Sequence, residues 1–363
     1  RLVRGKLPAV RALVTGATGF LGSAVARELL RDGHRVRVLA RRTSNRANVA
    51  GLEGVEVVEG DLRDRASLGR ALSGCEALFH VAASYSLWTR DPRELYASNV
   101  DGTAAILEEA LARRIERVVY TSSVAVLRPP LPGEPPADET CEYARFEDIV
   151  GHYKRSKYLA EQAAQAVRAK GLPVVIVLPS TPIGPRDVKP TPTGKIVLDF
   201  LLGKMPGYVQ TGLNVVDVDD CARGHLLALE RGRPGERYIL GNENLTLKEI
   251  LDALAELTGL PGPRFRVPYA LAYTVGAFST GLAALTGREP GVPLDGVRMS
   301  RKMMFFDPSK ARRELGFPAT PAREALRKAA LWFCENGHVP EALASRARLH
   351  LARGGAIVAT CRS

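Results

Sequence analysis

"VTGATGFLG", residues 14–22, lies where a short apolar run, "RALVTG" (11–16), gives way to the helix-periodic "FLGSAVARELLRDG" (20–33). Gly16, Gly19 and Gly22 recur at three-residue spacing across that junction. Glycine lets the chain turn tightly and approach a ligand closely. A helix starting here also aims free N–H groups and the positive end of its dipole at the turn. A strand, a glycine turn and a helix in this order form a cradle for pyrophosphate. The expected dinucleotide contacts there are Gly16, Thr18, Gly19, Phe20, Leu21 and Gly22.

Further along, apolar strands are expected at 34–41, 55–62, 76–83, 116–123 and 172–180. Helices are expected near 64–73, 93–113 and 148–170. Near-continuous apolar strands separated by helices predict a parallel sheet covered on both faces, a doubly wound α/β (Rossmann) domain over residues 8–190. Beyond Pro190 the pattern loosens: a strand runs into a helix over 215–230, a strand follows at 237–242 and a helix at 246–259. With the helical stretches from Asp307 and Pro321 these predict a smaller, mainly helical substrate region, 191–338, interleaved with the sheet domain. Residues 339–363 form a basic tail that reads equally as a frayed helix, a surface arm or a remnant with no part in the fold.

The second strand ends "VLARRTSNR" (38–46), with Arg41 and Arg42 where an acidic residue would hold the ribose 2′-hydroxyl of NAD. A guanidinium grips a 2′-phosphate, whereas a carboxylate would repel it, so NADP is favoured over NAD. In "GDL" (60–62), Asp61 is placed to accept from the adenine amino group, with Leu62 beside it. Arg63 and Asp64 read as solvated charges at a helix start.

The net charge of +12 suits an anionic ligand, an acidic membrane surface or nucleic acid. No nucleic-acid-binding motif accompanies it, and nucleic acid is not an expected partner. Five scattered cysteines without a CxxC pair argue against a disulfide framework or a metal site and suit a reducing, cytoplasmic setting. Val267–Gly287 carries no charge; it reads as a buried or pocket-covering helix, with a helix lying on a membrane surface, hence a peripheral membrane contact, as the alternative. In "YKRSK" (153–157), Tyr153 and Lys157 are four residues apart and share a helix face, which alone decides nothing.

Taken in order, "TGATGFLG", "GDL", "HVAA" (80–83), "SNVDGT" (98–103), "YTSSVAV" (120–126) and "YKRSK" resemble the extended short-chain dehydrogenase/reductase family over about residues 10–335. Within it the chain is similar to the dihydroflavonol-4-reductase-like group. "GHYKRSK" and "ERYILGNENLTL" most resemble the hopanoid-associated sugar epimerase subgroup. The resemblance implies Tyr153 as general acid/base, Lys157 lowering its pKa and binding the nicotinamide ribose, Ser123 holding the substrate oxygen with Ser122 as fallback, and Asn99 supporting a proton relay. It also implies that Ala82 and Ala83 run beside the dinucleotide, that Pro179, Ser180 and Ile183 flank the carboxamide, and that the chain forms a homodimer through its long helices. His80, His152 and His225 read as structural or exposed.

Two departures matter: Leu178 and Thr181 stand where nucleotide-sugar epimerases carry Arg and Asn, and Asp217 stands where a His is usual. The expected function is thus an NADP-dependent oxidoreductase interconverting a carbonyl and an alcohol on a fairly apolar small molecule. A nucleotide-sugar epimerase is the alternative and a non-catalytic dinucleotide sensor the second, the latter disfavoured because Tyr153 and Lys157 are both present.

Overall fold

The computed structural model describes residues 8–86 and 88–360. Its first half runs β1 (Arg11–Thr15), α1 (Phe20–Arg31), β2 (Arg35–Ala40), β3 (Val55–Glu59), α2 (Arg65–Leu72), β4 (Ala77–His80), α3 (Pro92–Tyr96), α4 (Gly102–Ala112), β5 (Arg117–Thr121), α5 (His152–Ala169) and β6 (Val174–Pro179). There follow β7 (Thr181–Ile183), α6 (Gly194–Leu201), β8 (Gly207–Tyr208), β9 (Gly212–Asp217), α7 (Val218–Arg231) and β10 (Arg237–Leu240). The chain closes with β11 (Glu243–Thr246), α8 (Leu247–Thr258), β12 (Phe265–Arg266), α9 (Tyr269–Thr286), α10 (Leu294–Met299), β13 (Met303–Met304), α11 (Ser309–Leu315), α12 (Ala322–Glu335) and α13 (Glu341–Thr360).

Seven strands form one sheet in the order β10-β6-β5-β4-β1-β2-β3. Every pairing in it is parallel; Val14, for example, lies between Val38 and Phe79. The strands read as continuous apolar runs because both faces are covered. On one face Val14, Val38 and Phe79 pack with α1, α7 and α11 residues such as Leu29, Leu226 and Leu315. On the other, Leu13, Leu78 and Tyr120 pack with α2, α4 and α5 through Leu68, Ile106 and Ala164. Chain order reverses between β1 and β4, and the crevice beyond those strand ends is where such sheets bind ligands.

A second sheet is built around β9. Antiparallel β11 takes one edge, while β13 and β7 share the other in succession, at Gly212–Leu213 and Val215–Asp217. Its core joins Leu213 and Val215 to Val197, Leu251, Leu326 and Phe333 of the surrounding helices. This core also contains Ala344, Ala347 and Leu351, so α13 packs as a helix on the body of the protein. Asp217, where an imidazole is usual, caps α7 by accepting from Asp219 N at 2.8 Å and meets Lys328 Nζ at 2.5 Å.

The uncharged stretch is helical, as expected, but it is not buried. Of α9 only Ala272, Gly276 and Ala283 are buried. Expected helix 93–113 exists with an interruption: Ala97–Asp101, between α3 and α4, is a widened π turn.

Candidate active site

Gly16 adopts φ +74°, and a Cβ there would lie 2.7 Å from the Ala82 backbone. A Cβ on Gly22 would lie 2.2 Å from Gly16 O, so helix, turn and neighbouring strand end close on one another without side chains. The resulting hollow is a cradle that fits a pyrophosphate. His80, buried on β4, braces it from below. Its Nδ1 bonds Thr15 Oγ1 at 2.8 Å and its Nε2 bonds Thr103 Oγ1 at 2.9 Å, while Thr15 Oγ1 accepts from Ala82 N. Burial and the nearby Lys157 charge push the His80 pKa down to about 3, so the ring stays neutral.

The cradle opens into a cavity of about 810 Å³ over the strand ends. The structure brings most of the expected residues to its wall: Gly16, Thr18, Gly19, Phe20, Leu21 and Gly22 from the turn, Arg41, Asp61 and Leu62 at one end, and Ala82 and Ala83 along the floor. Ser122, Ser123, Tyr153, Lys157, Pro179 and Ser180 line it further along. Three do not reach it. Arg42 is exposed and off the wall. Ile183 is buried in the second core beside Leu213. Asn99 lies behind the wall, where its amide accepts from Ser84 N at 2.7 Å and donates to Ser84 O and Ser156 Oγ. The π turn rotates this residue inward.

Arg63, read as a solvated charge, instead lines the cavity beside Arg41. It grips both Asp61 oxygens, at 3.1 and 3.0 Å, and holds that carboxyl below its ordinary range. Asp61 therefore already carries a strong donor. Both Arg41 and Arg63 face the dinucleotide end.

Tyr153 and Lys157 both project from the first turns of α5 into the cavity. Burial pushes the Tyr153 phenol up to about 12, opposed by a hydrogen bond with Ser123. Lys157 Nζ donates to Thr121 O at 2.8 Å; burial pushes it down to about 8, opposed by the Glu161 charge. The phenol thus stands above its ordinary value, whereas the Lys157 ammonium was expected to lower it. The ammonium is turned toward the β5 carbonyl. Ser122 donates to the buried Glu161, whose other oxygen meets Arg237 Nε at 3.1 Å, leaving Ser123 as the serine beside Tyr153.

Sequence reading missed Tyr85, whose ring lies 4.4 Å from that of Tyr153, and Lys154, which lines the cavity with its pKa pushed down to about 8 by burial and by Lys302. The aromatic run after "HVAA" was the available signal for Tyr85. Nothing local marked Lys154. The wall contributed by residues 191–306 holds Ile196, Leu213, Leu247, Met304 and Phe306 and carries no charged side chain.

Parallel strands ending beneath one crevice, with a glycine cradle at its edge, are the architecture of dinucleotide-dependent enzymes. This chain is an NAD(P)-dependent oxidoreductase of the extended short-chain dehydrogenase/reductase type. It belongs to the NAD dependent epimerase/dehydratase family, which it matches over residues 12–241. A provisionally named dihydroflavonol 4-reductase of Synechocystis sp. is 49% identical over 330 residues, 90% of this chain and 95% of that one. Sterol demethylase protein B of Methylococcus capsulatus is 37% identical over 90% of this chain and 99% of its own. The crystal structure of a nucleoside-diphosphate-sugar epimerase from Pseudomonas aeruginosa superposes with a TM-score of 0.75 at 32% identity, covering 92% of this chain and all of that one.

Proposed function

We propose that the protein is an NADP-dependent reductase that interconverts a ketone or aldehyde with an alcohol on a fairly apolar small molecule. One observation carries the reading: Tyr153, Ser123 and Lys157 meet in a single cavity whose far wall has no charged side chain. The nicotinamide, when bound, supplies or takes up the hydride. Ser123 donates to the substrate oxygen, and Tyr153 gives that oxygen a proton or takes one from it. A phenol held at about 12 carries its proton at neutral pH, the protonation state needed to donate to a nascent alkoxide in the reductive direction. Lys157, fixed on Thr121 O and steadied by Glu161, places positive charge beneath the dinucleotide. Arg41 stands at the opposite end for the 2′-phosphate. Pro179 and Ser180 flank the carboxamide. Asn99, one layer back, positions the loop at Ser84 and the start of α5 at Ser156.

The epimerase reading draws on the 32% identity to the Pseudomonas protein. An uncharged wall gives a substrate diphosphate little to bind on the 191–306 side, although Lys154 lines the cavity beside Tyr153. A reductase consumes NADPH stoichiometrically, whereas an epimerase regenerates its cofactor every cycle. The free thiols suit a cytoplasmic setting, and α4 and α5 are the long helices through which a homodimer would form. Tyr153→Phe should reduce turnover by roughly 10²–10⁴-fold while NADPH binding stays near wild type. Carbonyl substrates followed at the nicotinamide absorbance test this; wild-type turnover in the variant removes Tyr153 from the chemistry.

A further inference from the structure

Helix α9 runs eighteen residues, Tyr269–Thr286, without a charged side chain, and its main neighbour is α10. It is held there by small residues on one stripe: Ala272, Gly276 and Ala283 are buried, and a Cβ on Gly276 would lie 3.0 Å from Val297. The other side presents Leu271, Val275, Phe278, Leu282 and Leu285, alternately four and three residues apart and thus on one line. They are 55%, 47%, 75%, 50% and 86% exposed. Exposed Val292 is tied to this helix by its N–H donating to Ser279 Oγ at 3.2 Å. The margin of this apolar face is basic: Arg264, Arg266, Arg288, Arg298 and Arg301 are exposed there, against Glu289 and the half-buried Asp295 that pairs with Arg298.

A second cavity of about 150 Å³ lies between this helix and the candidate site. Thr280 of α9 and Leu294, Met299 and the Asp295–Arg298 pair of α10 line it with Trp88, Lys154 and Tyr153, and the last three with Met299 also line the main cavity. Through Thr280 the apolar helix thus borders a hollow that shares wall residues, Tyr153 among them, with the main cavity.

We propose that α9 lies in the interface of an anionic lipid bilayer and that the apolar substrate reaches Tyr153 from the lipid through this hollow. The route of the substrate rests on the reductase reading above; the docking itself does not. A second copy of the chain on the same face would bring two arginine rims together, whereas anionic headgroups complement them. No helix among the described residues is long and apolar enough to cross a membrane, so the contact is peripheral.

The test is co-sedimentation of the full chain with phosphatidylcholine vesicles, with and without phosphatidylglycerol. Binding should need the anionic lipid and weaken with salt. The double variant Phe278→Glu/Leu285→Glu should lose binding by roughly tenfold or more, and Arg266→Glu/Arg288→Glu should lose the preference for phosphatidylglycerol. Both should keep wild-type NADPH binding and wild-type turnover of a water-soluble carbonyl substrate without vesicles. Turnover of a lipid-partitioned carbonyl substrate in vesicles should fall in both. Absence of wild-type binding to anionic vesicles, or a patch variant that binds as wild type but turns dimer into monomer by light scattering, overturns the docking. Absence of NADPH-linked turnover of any carbonyl substrate overturns the reductase reading and leaves the vesicle result standing.

Discussion

Arg41 and Arg42 adjoin in sequence and separate in space. Arg41 turns into the cavity at the end of β2, while Arg42 points away, and Arg63 from the loop after β3 takes the place beside Arg41. The strand-end rule located Arg41 because it depends only on the register of one strand. Arg63 stayed hidden because its place depends on a loop folding back against another strand's end. Its guanidinium is already committed to Asp61, so Arg41 is the cation more available to a 2′-phosphate. Charge-assisted bonds of this kind contribute about 1.5–3 kcal/mol, so Arg41→Asp should weaken NADPH by roughly tenfold to a hundredfold. NADH binding should change little. Fluorescence titration of both dinucleotides decides it, and equal losses would assign Arg41 to the adenosine rather than to the phosphate.

At the scale of elements, the sequence marked the strands and most helices because burial on one or two faces writes a period into the residues. It was silent on three points, each for a physical reason. The π turn at Ala97–Asp101 adds one residue to a helix without altering its composition, so the inward turn of Asn99 had no signature. An uncharged helix has the same residues whether it is buried, covers a pocket or lies on a surface, so the composition of α9 did not separate these, and the structure buries only Ala272, Gly276 and Ala283. The tail carries a stripe, Ala344, Ala347 and Leu351, but it packs on the preceding α12 together with α8, which lies far back in the chain. A basic arm would lose little on truncating Leu351. A fully buried leucine in a close-packed core instead contributes roughly 2–5 kcal/mol over alanine. Urea unfolding of Leu351→Ala should show that loss as a lower midpoint with an unchanged slope. A midpoint within error of wild type would detach α13 from the fold.

Over the whole molecule, two histidines tie the sheet to the layers on either side. His80 joins Thr15 of β1 to Thr103 of α4. On the opposite face His225 of α7 bonds Cys221 O through Nδ1, which therefore carries the proton, and accepts from Thr121 of β5 on Nε2 at 3.0 Å. Burial pushes their pKa values from 6.5 down to about 3 and about 4. Below pH 6.5 the unfolded chain binds protons that the folded one refuses, so stability falls as pH drops through that window. Each histidine contributes a slope of up to about 1.4 kcal/mol per pH unit. Asp187, buried and raised from 3.8 to about 6, acts with the opposite sign: between those values the folded chain binds the extra proton and gains stability on acidification. Near pH 5 the three groups leave a net loss of roughly one histidine's slope. His225→Gln retains an amide that can bond both Thr121 and Cys221, so it removes the titration while keeping the tie. Its stability, measured by urea unfolding from neutral pH down to about pH 5, should fall less steeply than wild type by about 1.4 kcal/mol per pH unit. Parallel curves for the two proteins would place the acid sensitivity in the carboxylates, and the neutral histidine clamp would then play no part in it.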